Sequence, residues 1–215
     1  MPPRTRTSVA WLREHENDIY VQRARQEGWR SRAVFKLMEI DDKDHLLKPG
    51  EIVVDLGAAP GGWSQLAAKR VKLPQARADA ATAQVFALDL LEMPPIPEVC
   101  FIQGDFHDAA VLDKLSAALG KRKIGLVLSD MMPNMSGIPM VDQARGMALA
   151  ELALEFAQQH LKADGAFLVK VFQGSDFQPF LAAMRQAFVS VSTRKPKASR
   201  DRSAEIYLLG RTLKG

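Results

Sequence analysis

Apolar positions recur along this 215-residue chain with two periods, and the switches between them mark out its elements. Ser8 to about Gln26 reads as a polar, Arg-rich helix with a thin stripe of Trp11, Ile19 and Val21. A second helix, roughly Arg32 to Asp41, carries Val34, Leu37, Met38 and Ile40. Lys48-Pro49-Gly50 then breaks the pattern as a turn. The run Ile52-Val53-Val54-Asp55-Leu56 is short and rich in β-branched residues, which suits a strand buried on both faces. From there the two periods alternate: a helix near 62–71, strands at 84–89 and 99–103, a helix at 108–119 and a strand at 124–129. A long helix at 141–161, a strand at 166–172 and a helix near 176–187 follow. This order predicts an α/β fold of βαβ units, with a seven-stranded, mostly parallel sheet and helices on both faces.

The end of the chain breaks the alternation. Strands at 188–195 and 204–210 follow one another across a basic loop, so the sheet should carry an antiparallel hairpin at one edge. Leu73 to Ala83, rich in Ala and Gln, reads as a surface insertion. No repeat or linker divides the chain, which predicts one domain over 1–215 with a basic helical extension over about 1–42.

Composition narrows the class. With 47% hydrophobic and 25% charged residues, the chain has the make-up of a soluble globular domain rather than a disordered one. A single cysteine, Cys100, excludes an intramolecular disulfide and any thiolate-rich metal centre, and the four histidines are scattered, so no metal is expected. No apolar run approaches the roughly 18–20 residues of a membrane span. Met1-Pro2-Pro3-Arg4 leads into charged sequence without a signal-peptide core, so a cytoplasmic location and no membrane partner are expected.

The net charge of +4 is unevenly spread. Residues 1–36 hold eight Lys/Arg against four Asp/Glu, and residues 185–215 hold eight against two. The stretch between them is acidic, with thirteen against nineteen. The basic ends are either two solvated tails or one surface for a polyanion, and their apolar periodicity and aromatics weaken the first reading.

Candidate chemistry clusters at strand ends. Asp55-Leu56-Gly57-Ala58-Ala59-Pro60-Gly61-Gly62-Trp63 follows the first strand and opens a helix, so a ligand can approach the backbone and unpaired helix N–H groups. It matches neither the G-x-G-x-x-G dinucleotide fingerprint nor a phosphate loop. Aspartates recur at later strand ends: Asp89, Asp105 and Asp130. Each alone could be a helix cap, but together they converge outside the carboxyl ends of the strands, where doubly wound sheets bind ligands. A carboxylate-lined crevice poor in phosphate-binding features suits a positively charged nucleoside such as S-adenosylmethionine. Lys170, inside the apolar run Phe167-Leu168-Val169-Lys170-Val171-Phe172, needs a carboxylate partner or a chemical task.

Four segments together resemble the FtsJ/RrmJ (RlmE) family of large-subunit ribosomal RNA 2′-O-ribose methyltransferases: Asp55 to Trp63, Ser129-Asp130-Met131-Met132-Pro133-Asn134-Met135-Ser136-Gly137, Val169 to Gly174 and Ser203-Ala204-Glu205-Ile206-Tyr207. The resemblance covers about residues 8–212 and implies a Rossmann-like S-adenosylmethionine-dependent methyltransferase fold. It implies a catalytic tetrad of Lys36, Asp130, Lys170 and Glu205, with Lys170 as proton acceptor, and cofactor contacts at Gly61, Trp63, Asp89, Asp105 and Asp130. Met132 departs from it, standing where the bacterial relatives have a small residue, and so does the longer 73–83 insertion.

The reaction implied is methylation of a uridine ribose in 23S ribosomal RNA within the assembled 50S subunit, by a monomer. A transfer RNA or another RNA is the alternative substrate. The terminal basic residues Arg30, Arg32, Lys197, Arg200 and Arg202, with Arg194 and Lys195, offer phosphate contacts. Two rivals remain: a small-molecule methyltransferase, which would not need basic ends, and a non-catalytic RNA-binding module, which would not need the tetrad.

Overall fold

The computed structural model describes residues 18–73, 83–134, 136–200 and 203–215. Asp18 starts the first described helix, α1 (Ile19–Gln26), by accepting the backbone N–H groups of Tyr20 and Val21. Then follow α2 (Val34–Asp44), β1 (Val53–Leu56), α3 (Gly62–Val71), β2 (Val85–Asp89), β3 (Val99–Gln103), α4 (Ala109–Leu119) and β4 (Ile124–Ser129). The chain closes with α5 (Pro139–His160), β5 (Leu161–Phe172), α6 (Phe177–Ala187), β6 (Phe188–Arg194) and β7 (Glu205–Leu213). Residues 8–17 of the expected first helix, most of the 73–83 insertion, and Arg202 lie outside the described residues.

The seven strands form one sheet in the order β3-β2-β1-β4-β5-β7-β6. All pairings are parallel except those of β7, which runs antiparallel to both β5 and β6. The expected antiparallel hairpin is therefore present, but its second strand is inserted between β5 and its first strand. That insertion carries the C-terminal strand into the sheet interior, beside β5.

Strand β5 begins at Leu161, five residues before its apolar run. Ile124 pairs with Leu161 and Leu126 with Ala166, so Lys162 to Gly165 bulge out between two paired stretches. These residues are polar or small, so side-chain periodicity alone misses the pairing.

Alternation along the strands divides the core in two. Leu56, Leu88, Val127, Phe167, Val169 and Leu208 pack against α4, α5 and α6. Val53, Val85, Leu126, Leu128, Leu168, Tyr207 and Leu209 face α2 and α3 on the other side. Buried strands on both faces explain the continuous apolar runs of the sequence. Among the described residues no helix is long and apolar enough to cross a membrane.

Candidate active site

Beyond Leu56 the chain turns across the carboxyl edge of the sheet. Gly57 has φ +77°, and a Cβ there would lie 2.8 Å from the N and Cα of Met131. The glycine loop thus rides directly on the backbone that follows β4, a contact only glycine allows. Asp89 joins this loop to the next: Oδ2 accepts the N–H of Ala59 and Oδ1 that of Leu91, both at 2.8 Å.

A cleft of about 600 Å³ opens along this edge. Asp89, Asp105, Asp130 and Lys170 line it, with apolar walls from Leu90, Leu91, Phe106 and Leu149. Of the five expected cofactor residues, three aspartates meet there, whereas Gly61 and Trp63 do not line the cleft. Trp63 is buried; its Nε1 donates to the Ala33 carbonyl at 2.7 Å and its ring centre lies 5.7 Å from that of Tyr207. Gly61 (φ +106°) instead makes room for Met93 and Ile96.

Strand register assembles the tetrad. Pairing of β5 with β7 sets Lys170 opposite Tyr207 and Phe172 opposite Glu205, so Lys170, Tyr207 and Glu205 share one face. Pairing of β4 with β5 aligns Ser129 with Val169, which leaves Asp130 beside Lys170. Lys170, 6% exposed, donates from Nζ to the Asp130 carbonyl at 2.6 Å and lies 3.1 Å from Asp130 Oδ1. Helix α2 packs on the same face and brings Lys36 Nζ within 2.5 Å of Glu205 Oε1. The four expected residues therefore form two ion pairs.

Tyr207 stands between the pairs. Its hydroxyl donates to Asp130 Oδ1 at 3.0 Å, and its ring centre lies 5.9 Å from Lys36 Nζ. Burial, followed by the charges of Asp130 and Glu205, pushes the Tyr207 phenol well above its ordinary range, so it stays a donor. Burial also works against ionised Glu205, but Lys36, Ser199 and Lys170 outweigh it and hold this carboxyl below its usual range.

Acidity is concentrated nearby. Asp55 is fully buried, with Oδ2 accepting the Ser64 hydroxyl at 2.6 Å and Oδ1 unpaired. Burial, then the nearby charges of Asp130 and Asp89, raise it to about 7 against the help of Ser64. Asp105 is exposed and held low by the backbone N–H and then the ring of His107. Carboxylates crowded beside an apolar-walled cleft fit a ligand with hydroxyls, a flat apolar ring and a positive charge.

A model of the FtsJ-like methyltransferase family matches residues 29–213. The chain belongs to the FtsJ-like methyltransferase family. A ribosomal RNA large subunit methyltransferase E from Dechloromonas aromatica is 67% identical, over 98% of this chain and 99% of its own length. Its counterpart from Chromobacterium violaceum is 57% identical over 97% and 98%. A crystal structure of a ribosomal RNA methyltransferase from Plasmodium falciparum is 30% identical with a TM-score of 0.73, covering 87% of this chain and 100% of that one. A 1,6-didemethyltoxoflavin-N1-methyltransferase from Burkholderia thailandensis, crystallised with S-adenosylhomocysteine, shares the fold alone, at TM-score 0.56 and 17% identity over 100% and 93% of the two chains.

The described parts of the two basic ends, from Asp18 onward and around Arg194 to Arg200, meet in space, but much of their charge is spent inside the protein. Arg32 pairs with Asp18 and donates to the Ala198 carbonyl. Arg194 grips both Asp44 oxygens at 2.6 and 2.7 Å. Lys195 donates to the carbonyls of Ser203 and Glu205. Arg30 donates to the carbonyls of Pro60, Pro94 and Pro95. Lys197 is exposed, and Arg200 is only 3.9 Å from Asp18 at its nearest. A sequence gives the charge of an arginine but not the carboxylate that folding brings to it.

Three residues around the cleft have no role that the sequence assigns. Tyr207 ends the Ser203-to-Tyr207 segment but gives no sign of a role there. Asp142 accepts Ser136 N–H and Oγ at 2.7 Å and Gly137 N–H at 3.1 Å, anchoring the loop after Asp130 to α5. The Ser-Gly pair of that motif was its only signal. Arg145 lines the cleft from α5, and nothing in the sequence sets it apart.

Proposed function

We propose that this methyltransferase moves a methyl group from S-adenosylmethionine to the 2′-hydroxyl of a ribose in large-subunit ribosomal RNA. The proposed target is a uridine of the 23S RNA in the assembled 50S subunit. The observation that carries the reading is Lys170, a buried amine in the cleft wall touching Asp130. The 67% identity to a ribosomal RNA large subunit methyltransferase E supports the substrate class.

Bound in the cleft, S-adenosylmethionine supplies a methyl group carried on a positively charged sulfur. Asp89 would hold its ribose, Asp105 would flank the nucleoside, and the negative field of Asp130 would favour the cation. The main work left to the protein is holding the accepting oxygen in line, together with removal of its proton. With its amine neutral, Lys170 accepts that proton and becomes the ammonium that Asp130 neutralises; Tyr207 holds Asp130 in place, and Glu205 fixes Lys36 for the substrate. Lys197 and Arg200, on the loop that Arg32 and Glu39 hold, face the RNA phosphates.

Incubation with labelled S-adenosylmethionine and, separately, intact large subunits, naked ribosomal RNA or transfer RNA tests the reading. Label should enter the RNA of intact subunits at a linkage resistant to alkaline cleavage. Label confined to transfer RNA would establish the alternative substrate, and label on a base would refute ribose chemistry.

A further inference from the structure

Arg30 lies in the turn between α1 and α2 yet reaches three other segments. Its backbone N–H donates to Gln65 Oε1 on α3 at 2.8 Å. In its guanidinium, Nη1 donates to the carbonyls of Pro94 at 2.5 Å and Pro60 at 3.4 Å, and Nη2 to that of Pro95 at 2.7 Å. Pro60 belongs to the glycine loop. Pro94 and Pro95 belong to the segment after β2, whose Leu90 and Leu91 line the cleft.

Consecutive prolines offer carbonyls but no N–H groups, so this segment cannot tie itself down through its own backbone there. A planar fork of donors from outside suits such a pair of carbonyls, whereas a single ammonium does not. Packing reinforces the tie. Met93 and Ile96 sit in a small apolar cluster with Ala58 and Ala87. A Cβ on Gly61 would lie 2.7 Å from both Met93 Sδ and Ile96 Cδ1, and 3.2 Å from Arg30 Cδ. Arg30 therefore closes over the place where the two cleft loops touch.

We propose that Arg30 is a positioning residue of the cofactor cleft, a strap that fixes the 57–61 loop against the 90–96 segment, and not a contact for RNA phosphate. The proposal rests on the reading of the cleft as the S-adenosylmethionine site. It separates two roles that basic residues of the N-terminal layer would otherwise share: Arg30 acts on the cofactor, and the junction near Lys197 and Arg200 acts on RNA.

The test compares wild type, Arg30→Lys and Arg30→Met. Calorimetry gives the Kd for S-adenosylmethionine, binding of ribosomal RNA is followed at several salt concentrations, and thermal unfolding reports folding. Both variants should raise the cofactor Kd about tenfold, which corresponds to about 1.4 kcal/mol, while the salt slope of RNA binding stays that of wild type. Lys keeps the charge, so its failure to restore cofactor affinity marks the strap. A cofactor Kd within twofold of wild type in Arg30→Lys overturns the proposal. So does a slope shallower by about one unit in Arg30→Met that Lys restores, which would mark a phosphate contact. If Arg30→Met does not fold, Arg30→Lys decides alone. Wild type that binds no S-adenosylmethionine would refute the cleft reading itself.

Discussion

A phenol buried opposite Lys170 aims one proton at Asp130, and deleting that hydroxyl measures how much the site depends on a fixed carboxylate. Tyr207→Phe keeps the ring against Trp63 but leaves Asp130 Oδ1 to Lys170 alone. Turnover should fall about tenfold and stability by about 1 kcal/mol, with S-adenosylmethionine affinity unchanged. Steady-state kinetics beside calorimetry checks this, and wild-type turnover would show that Lys170 alone fixes Asp130. Asp55 couples stability to pH. Its folded-state value, about 7, stands above the unfolded 3.8, so the folded state holds this proton more tightly. Stability from this group is complete below pH 3.8 and is lost as pH rises to about 7. Asp55→Asn keeps an acceptor for Ser64 and removes the titration. Urea midpoints should therefore favour the variant over wild type more at pH 8 than at pH 4. An equal difference at both would place the titration elsewhere.

At the scale of elements, loops held by backbone contact set the cleft. Gly57→Ala would drive a Cβ against the Met131 backbone at a positive φ. It should cost more than about 1 kcal/mol and weaken cofactor binding, since the clash separates the glycine loop from the strand end bearing Asp130. A thermal melt and a cofactor titration read both effects; wild-type values in both would mean that the loop yields without strain. Most elements were legible in the sequence because strands buried on both faces leave unbroken apolar runs, and the helices between them keep a clear stripe. The bulge before Ala166 was not, because Lys162 to Gly165 loop out between the paired Leu161 and Ala166, and a polar, small-residue stretch hides the earlier pairing. Nor was the insertion of β7 beside β5, which depends on sheet order rather than on strand identity.

For the whole molecule, the site exists because distant parts of the chain share one edge of the sheet. Lys36 comes from a helix before the first strand and Glu205 from the last strand, yet their charged atoms lie 2.5 Å apart. The tetrad was readable through motif resemblance, whereas its division into two ion pairs around Tyr207 required strand register. The basic ends were readable as charge, but which arginines are free was not, since Asp18 and Asp44 meet their partners only on folding. Lys197 and Arg200 should be among the groups that meet RNA. Lys197→Glu with Arg200→Glu should raise the KM for ribosomal subunits and leave kcat nearly unaltered. The salt dependence of binding should become shallower by about one unit of slope per contact removed. An unaltered slope would move the RNA surface elsewhere.

Single-turnover methylation with Lys170→Met beside wild type tests whether Lys170 handles the ribose proton in a preformed cofactor cleft. The cofactor Kd, measured on the same samples, separates chemistry from binding. Lys170→Met should lose about 10²–10⁴-fold in rate, with the S-adenosylmethionine Kd within twofold of wild type. A rate within tenfold of wild type would contradict this role for Lys170, and so would a rate loss fully explained by lost cofactor binding.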